Sequence, residues 1–240
     1  KNNIFIAIKG PKKDGHDYIN EAIRNKASFC VVSKVPKNTD QKKLIKCNNT
    51  MLFLKQLANI KRSYSTAKII AITGSSGKTT VKSLMGKILS NYGKTYFSQK
   101  SYNNHFGVPL SIANLESNHK YGVFEVGMNK PGEIKNLSNI IKPDIGIITN
   151  VGEAHIENFK NVKGIASAKA EIITNIEKNG YLILNKDDSF YKFHNKIAKN
   201  KNIKVVSFGV SKLSNIGLLN IKKKRNVYIL KIRIFNKVIF

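Results

Sequence analysis

One short segment constrains the fold of this chain more than any other. The residues Ile69–Thr73 are apolar or β-branched, a glycine- and serine-containing loop follows, and a helical pattern then covers Thr79–Ser90. The loop consists of Gly74, Ser75, Ser76, Gly77, Lys78, Thr79 and Thr80. Glycines let backbone N–H groups point inward, and a helix N-terminus adds the positive end of its dipole. The segment therefore predicts a phosphate-binding loop within an α/β fold.

Two side chains of this loop have predicted roles in binding a nucleoside triphosphate. Lys78 is the candidate contact for the β- and γ-phosphates, and Thr79 is the candidate Mg²⁺ ligand through its hydroxyl. The strict motif G-x-x-x-x-G-K-[ST] requires glycine at position 72, where this chain has Ile72, whereas the shorter form G-x-x-G-K-T fits. The alternative is a chance glycine turn, which the preceding strand and the following helix disfavour.

Strand and helix patterns alternate along the chain. Strands are predicted at Ile4–Ile8, Phe29–Val32, Ile69–Thr73, Thr95–Phe97, Tyr121–Val126, Ile145–Thr149, Tyr181–Leu184 and Lys204–Ser207. Helical patterns cover Asp17–Lys26, Leu44–Ile60, Thr79–Ser90, Pro131–Ile141, Val162–Ile176 and Ser189–Lys199. Strands that alternate with helices of about 10–15 residues predict βαβ units and a mainly parallel sheet. The β-branched run Asn226–Phe235 predicts an antiparallel edge hairpin, with its turn at Lys222–Arg225.

The predicted elements fall into two groups. The stretch Lys61–Ala67 is polar and aperiodic, which places a domain boundary at about residue 65. We expect a small N-terminal α/β domain over residues 1–65 and a larger α/β domain over residues 66–240.

The positive net charge of the chain suggests a nucleic-acid partner, but the predominance of lysine over arginine does not. The chain has 42 basic and 14 acidic residues, a net charge of +28, and 38 of the basic residues are lysines spread from end to end. Nucleic-acid interfaces favour arginine for bidentate contacts. We therefore predict a solvated basic surface and no nucleic-acid partner, with a lysine-rich nucleotide- or nucleic-acid-binding protein as the alternative.

The remaining composition constrains the compartment. Cys30 and Cys47 are too few for a disulfide framework in a chain of 240 residues, so reduced thiols and a cytoplasmic location are expected. There is no run of 18 or more apolar residues, which predicts that the chain does not insert into a membrane.

Further candidate site residues follow predicted strands. Glu125 stands at the end of the strand pattern that begins at Tyr121, and His155 follows the strand pattern that begins at Ile145. Ligands of parallel sheets bind at the carboxyl ends of strands. An exposed glutamate and a structural histidine are the alternatives. Asn103 and Asn104 could bind a polar ligand or cap a turn.

Two more candidates are weaker on sequence grounds. The segment Asp14-Gly15-His16 follows the first strand, and its sequence favours a turn over a ligand-binding loop. Lys169 lies on a predicted helix among small alanines, so it could approach a ligand closely, although it is one of 38 lysines.

Taken together, these motifs resemble the Mur ligase family of ATP-dependent amide ligases, from about Ile4 to about Ser207. The family's phosphate loop, T-G-[ST]-x-G-K-T-[ST], is matched by Thr73–Thr80. Three segments resemble the branch that adds D-alanyl-D-alanine to UDP-N-acetylmuramoyl-tripeptide in peptidoglycan precursor synthesis: Asn103–Leu110, Phe124–Leu137 and Thr149–Phe159. The resemblance implies a UDP-sugar-binding α/β domain followed by a P-loop central domain with a mainly parallel sheet.

The resemblance also implies roles for single residues. Lys78 and the loop amides would bind ATP, and three further residues would help to position Mg²⁺: Thr79, Glu125 and His155. Lys169 matches the family's carbamylated lysine, whose modified end acts as a carboxylate toward metal. Catalytic roles are thus implied for Lys78, Lys169 and His155, and substrate-side roles for Asn103, Asn104, Asp14 and His16. The segment Asn185–Asp188 matches one expected to support the nucleotide site.

The match to the family has gaps. The family's N-terminal Asp-Ser-Arg segment and its third domain are not found in the sequence, so we expect a chain cut at both ends. A monomer is expected. The alternatives within reach of the same motifs are a MurE-like ligase and a folylpolyglutamate-synthase-like enzyme.

Overall fold

The computed structural model describes residues 3–37 and 39–239, which form a three-stranded and a nine-stranded sheet. The small sheet is parallel and consists of β1 (Ile4–Ile6), β2 (Phe29–Val32) and β3 (Leu44–Lys46). A short 3₁₀ turn (Gly15–Tyr18) leads into α1 (Ile19–Arg24). Ile19 of α1 packs there against Cys30 and Val32 of β2 and against Ala7, which follows β1.

The helical pattern predicted over Leu44–Ile60 is wrong at its beginning. Its first residues form β3, and α2 covers Thr50–Ser63. The helix begins at Thr50 because the side chain of Asn49 accepts a hydrogen bond from Leu52 N at 2.9 Å, which caps the first turn. Residues Leu44–Lys46 form a strand because they pair with β2, which lies earlier in the sequence.

The large sheet has the strand order β12-β11-β10-β9-β8-β7-β4-β6-β5. Its strands are β4 (Lys68–Thr73), β5 (Thr95–Phe97), β6 (Tyr121–Glu125), β7 (Ile145–Ile148), β8 (Tyr181–Asn185), β9 (Lys204–Gly209), β10 (Ile216–Lys224), β11 (Val227–Ile234) and β12 (Lys237–Ile239). Strands β4 to β10 are parallel, and β11 and β12 continue the sheet antiparallel.

Helices cover both faces of the large sheet. They are α3 (Lys78–Ser90), α4 (Gly107–Ala113), α5 (Glu133–Ile141), α6 (Val162–Ala170) and α7 (Tyr191–Asn200). Alternation along β4 separates the two cores: Ile70 and Ile72 pack toward α3, whereas Ile69 and Ala71 join the larger cluster under α4 and α5. The predicted α/β architecture is therefore confirmed.

One predicted helix is divided in the structure, and one observed helix was not predicted. The pattern Val162–Ile176 is divided, because α6 ends at Ala170 and a 3₁₀ turn covers Glu171–Asn175. The short helix α4 was not predicted, since its sequence begins with glycine and contains Pro109, which a first helical turn tolerates.

The edge hairpin is confirmed, but its turn is displaced. Lys222, Lys223 and Lys224 are the last residues of β10, and the chain reverses at Arg225, whose φ of 52° is left-handed. The lysine run thus lies in a strand and not in the turn as predicted.

The first sheet is joined to the second through α2. Ala58 of α2 belongs to the core of the large sheet, and Arg62 donates to Ile141 O and Lys142 O at 2.7 Å each. On its other side Thr50 Oγ1 donates to Ala7 O at 2.9 Å. The division at about residue 65 stays a prediction. Among the described residues, no helix combines the length and the apolar character needed to span a bilayer.

Candidate active site

The loop after β4 has the shape expected of a phosphate cradle. Gly74 has φ 151°, and a Cβ placed on it would lie 1.8 Å from Thr149 Oγ1, so no larger residue fits. Gly77 has φ 79° and precedes α3, and within the described residues no side chain caps this helix. The first backbone N–H groups of α3 therefore lack a side-chain acceptor, which suits an anion at this helix end.

Residues that follow β7 hold the loop in place. Ser75 N donates to Asn150 O at 3.1 Å, and Ser76 N donates to Asn150 Oδ1 at 3.0 Å. Thr149 Oγ1 donates to Ser76 O at 2.6 Å. Sequence reasoning did not assign Asn150 a role, although its position after a buried strand was a usable signal. The strand order explains the contact, since β4 lies directly between β6 and β7.

The ammonium of Lys78 lies over the loop. Its Nζ donates to Gly74 O at 2.8 Å. Partial burial lowers the pKa of Lys78, and the negative charge of Glu125 opposes that shift. The lysine is thus positioned where a bound phosphate would compete with the Gly74 carbonyl for its protons.

Glu125 is a buried carboxylate at the end of β6, with 2% of its surface exposed. Thr79 Oγ1 donates to Glu125 Oε2 at 2.8 Å, and Asn103 Nδ2 donates to Glu125 Oε1 at 2.7 Å. The exposed-glutamate alternative is therefore wrong. The neighbouring Asn104 Oδ1 accepts from the backbone N–H groups of Phe106 and Gly107 at the start of α4.

A cavity of about 620 Å³ opens where β4, β6 and β7 end. Its volume lies within the usual range for small-molecule sites. The predicted residues that line it are Gly74, Lys78, Asn103, Asn104, His155 and Lys169. The topology explains their convergence, because parallel strands on either side of a switch in strand order leave a crevice at their carboxyl ends.

Lys169 is buried at the end of α6, with 2% of its surface exposed. Burial and, to a smaller extent, the positive charge of Lys78 together lower its pKa from 10.5 to about 8. His155 lines the same cavity, with a left-handed φ of 62° and a side chain that is 46% exposed. One wall of the cavity thus offers an amine that loses its proton readily.

Two further residues stabilise this wall of the cavity. Sequence reasoning did not identify the first, and it indicated the second only as part of a longer segment. His194 is buried on α7, and its Nε2 lies 2.9 Å from Ala166 O, one turn before Lys169. In the segment expected to support the nucleotide site, Asp188 Oδ2 accepts from Val151 N at 2.7 Å. Both contacts fix loops or helices that carry cavity residues.

Asp14 and His16 are not among the described residues that line the cavity. His16 Nδ1 lies 2.6 Å from Asp14 Oδ1, and His16 Nε2 accepts from Ser33 N at 2.9 Å. Hydrogen bonding to the imidazole and backbone N–H of His16 lowers the pKa of Asp14. The pair therefore joins the loop after β1 to the loop after β2, and its predicted contact with a substrate stays a prediction.

The residues at the phosphate loop fit a magnesium ion that is shared with a nucleotide. Across residues 3–37 and 39–239, no group of three or more His, Cys, Asp or Glu side chains could hold a metal by itself. Mg²⁺ in nucleotide sites takes one or two protein oxygens and completes its shell with phosphates and water. The paired oxygens of Thr79 and Glu125 match that requirement.

Comparisons with known proteins agree with this geometry. The profile of the Mur ligase middle domain matches residues 72–237. The chain is 39% identical over 240 residues to the UDP-N-acetylmuramoyl-tripeptide--D-alanyl-D-alanine ligase of Rickettsia prowazekii, covering 100% of this chain and 53% of that protein. It is 36% identical over 186 residues to the Escherichia coli protein of the same name, covering 78% and 41%.

Solved structures give the same picture. MurF from Acinetobacter baumannii superimposes with a TM-score of 0.83 at 30% identity, covering 97% of this chain and 51% of that one. The MurF ligase from Thermotoga maritima in complex with ADP has a TM-score of 0.83 at 28% identity, covering 100% and 54%. The chain spans about half the length of the curated relatives it matches. Since the matched profile covers most of the chain, and residues from several of the predicted motifs line one cavity, the chain belongs to the Mur ligase family.

Proposed function

We propose that this protein binds ATP at Gly74–Thr80 and uses it to join D-alanyl-D-alanine to UDP-N-acetylmuramoyl-tripeptide. The observation that carries the proposal is the cavity at the ends of the central strands, which both Lys78 and Lys169 line. The names of the Rickettsia and Escherichia relatives supply the substrates, and the ADP in the Thermotoga structure supplies the nucleotide.

In the first step, an oxygen of the tripeptide carboxylate attacks the γ-phosphorus of ATP. The bond from that phosphorus to the bridging oxygen breaks, which yields an acyl phosphate and ADP. Lys78 and the N–H groups at the start of α3 hold the phosphates and offset the developing charge. The hydrogen bonds from Ser75 N and Ser76 N to Asn150 hold the loop, and with it these phosphate-binding donors, in place before ATP binds.

In the second step, the dipeptide amine attacks the acyl carbon. The tetrahedral intermediate expels inorganic phosphate, and the amine proton passes to solvent. Residues on the cavity wall, including Asn103 and Asn104, orient the two reacting groups at their meeting point. The cavity's position beside Lys78 keeps the acyl phosphate where it formed.

Magnesium would be held by Thr79 and Glu125 beside the phosphates, with His155 and Lys169 near a second position. When bound, it supplies positive charge that neutralises phosphate and carboxylate oxygens. Lys169 suits this place only after modification, since an ammonium repels a cation. A pKa of about 8 leaves part of the amine neutral near physiological pH, and the neutral nitrogen can bond to the carbon of CO₂, release a proton and become a carbamate.

The proposal also assigns a role to each of the two predicted domains, a cellular location and an oligomeric state. We propose that residues 1–65 contact the UDP-sugar part of the substrate through the loops of Asp14 and His16, and that residues 66–240 bind the nucleotide. We also propose a cytoplasmic monomer without a nucleic-acid partner, whose surface lysines are solvated.

The first experiment measures nucleotide binding by calorimetry with ADP, with and without MgCl₂. We expect Mg²⁺-dependent binding that Lys78→Ala weakens and Lys87→Ala does not, since Lys87 is exposed on the same helix. Formation of the ligated product from ATP, the tripeptide nucleotide and the dipeptide is then followed by mass spectrometry. A chain that fails to bind ADP at millimolar concentration contradicts the proposal.

A second experiment isolates the carbamate. Lys169→Ala should lose turnover, and added acetate or propionate should restore part of it by replacing the missing carboxylate. ADP affinity in the absence of Mg²⁺ should change little in this variant. Full turnover in Lys169→Ala would remove the carbamate from the mechanism while leaving the nucleotide site untouched.

A further inference from the structure

A second lysine of α3, which the mechanism above does not use, is entirely buried. Lys82 has 0% of its surface exposed and is among the largest of the fully buried side chains in the described part of the chain. It lies one turn after Lys78 on the same helix face. Burying an ammonium group costs free energy unless protein groups accept its hydrogen bonds. The contacts of Lys82 therefore indicate what its burial contributes.

The contacts of Lys82 converge on one carbonyl. Its Nζ donates to Lys100 O at 3.0 Å and lies 3.4 Å from Ser98 Oγ. Ser98 Oγ donates to the same carbonyl at 2.8 Å, and so does Tyr102 N at 2.9 Å. Three donors on a single oxygen fix the turn that follows β5.

This turn leads directly into the cavity. The next residues bring Ser101 Oγ to 3.1 Å from Thr79 Oγ1 and Asn103 Nδ2 to 2.7 Å from Glu125 Oε1. Asn103 O also accepts from Gly127 N at 2.8 Å, behind the cavity wall. A shift at Lys100 would therefore move the partners of both Thr79 and Glu125.

The charge of Lys82 acts on the same carboxylate. Burial lowers the pKa of Lys82, and the negative charge of Glu125 opposes the shift, as it does for Lys78. Two ammonium groups from one helix face thus interact electrostatically with a carboxylate that is 2% exposed.

We propose that Lys82 is a positioning residue, which holds residues 98–103 against Thr79 and Glu125 and thereby shapes the magnesium side of the nucleotide site. The role in nucleotide binding rests on the proposed function. The positioning of the loop does not, because it is present without any ligand.

The test replaces Lys82 by methionine, whose unbranched side chain is one atom shorter and lacks the charge and the donors. In the ligand-free chain we expect the amides of Tyr102, Asn103 and Gly127 to exchange with deuterium about tenfold faster. Calorimetry should show ADP affinity reduced about tenfold in the presence of MgCl₂ and less without it, because Thr79 and Glu125 are the displaced pair. Lys87→Met, on the exposed side of α3, is the matched control and should change neither quantity.

Ser98→Ala provides an independent route to the same turn. It removes one of the three donors to Lys100 O without altering α3, and we expect the same changes at about threefold. This variant decides the matter if Lys82→Met does not fold. Unchanged exchange at Tyr102 and Asn103 in either folded variant overturns the inference, as does an ADP affinity that falls equally with and without MgCl₂. A wild-type chain that binds no ADP contradicts the proposed function instead, and the exchange comparison still tests the positioning.

Discussion

Two loops of this protein follow parallel strands and carry polar residues, yet their side chains are used differently. After β1, Asp14 and His16 bond to each other and to Ser33 N, so their polar atoms serve the fold. After β4, the phosphate loop is held from behind by Asn150, while the uncapped start of α3 faces the cavity. Both loops look like ligand loops in sequence.

The difference shows what polar residues contribute in each place. At the small sheet they contribute stability, because they link two loops that have little core beneath them. At the large sheet the charged groups of the cavity oppose stability, since burial depresses the pKa values of both Lys78 and Lys169. The large core of the nine-stranded sheet can tolerate that loss.

The largest effect is expected from Lys78→Ala. Under the proposed function it should weaken ADP binding about 100-fold, since it removes the charged donor proposed for phosphate, and in the full-length protein it should abolish ligation. The melting temperature should change little, because the internal partner of Lys78 is a single carbonyl. A large fall in melting temperature with normal ADP affinity would place Lys78 in the same category as His16.

Lys169→Met should make the nucleotide-free chain more stable. The folded-state pKa of Lys169 is lowered to about 8 from 10.5, so below pH 8 the wild-type chain bears the full penalty of a buried ammonium. That penalty corresponds to about 3 kcal/mol. As pH rises from 8 to 10.5 the folded state loses the proton first, and the wild-type stability rises toward that of the variant.

Urea unfolding of both chains in CO₂-free buffer measures this difference across the pH range. CO₂ must be excluded because a carbamate would change the charge. A gap that does not narrow above pH 8 would show that Lys169 is not the group responsible.

His16→Ala should have the opposite effects to Lys78→Ala: it should lower the stability of the chain and leave its ADP affinity unchanged. It removes the acceptor of Ser33 N and the partner of Asp14, so the free energy of unfolding should fall by about 1–3 kcal/mol. ADP affinity should be unchanged, since His16 is not among the described residues of the cavity wall. Denaturant unfolding and calorimetry on the same samples compare the two.

Asp14→Asn is expected to have the smallest effect, and the effect should depend on pH. Because the folded-state pKa of Asp14 is below 3.8, its contribution is complete above that value and is lost as pH falls through the folded pKa. The stability gap between wild type and variant should therefore close in acid. A gap that is constant from pH 6 to pH 3 would indicate that the carboxylate charge is not involved.

Local pattern predicted the central elements well where strands are continuous and apolar. The predicted bounds Phe29–Val32 and Thr95–Phe97 coincide with β2 and β5. Prediction failed at β3, where three residues became a strand through pairing with β2, and at α4, which depends on Asn104 and on packing under the sheet. Short elements carry too little periodicity to be read alone.

The candidate site divides in a similar way. Lys78 and Thr79 were predicted from the loop itself, because the motif and the chemistry occupy the same few residues. Lys169 came from the family resemblance, and its burial beside the cavity became apparent only in the structure. Lys82 had no sequence signal, since one lysine in an amphipathic helix looks like any other.

The sequence by itself determined the α/β class, the phosphate loop and the membership of the family, because these depend on residues that are adjacent in the chain. Tertiary structure decided which polar residues face the cavity and which bond to one another. The strand order β7-β4-β6 brings Asn150, Glu125 and the loop together from three separate parts of the chain. Burial, which sets the pKa of Lys169 and makes Lys82 unusual, is a property of that packing and has no counterpart in local sequence.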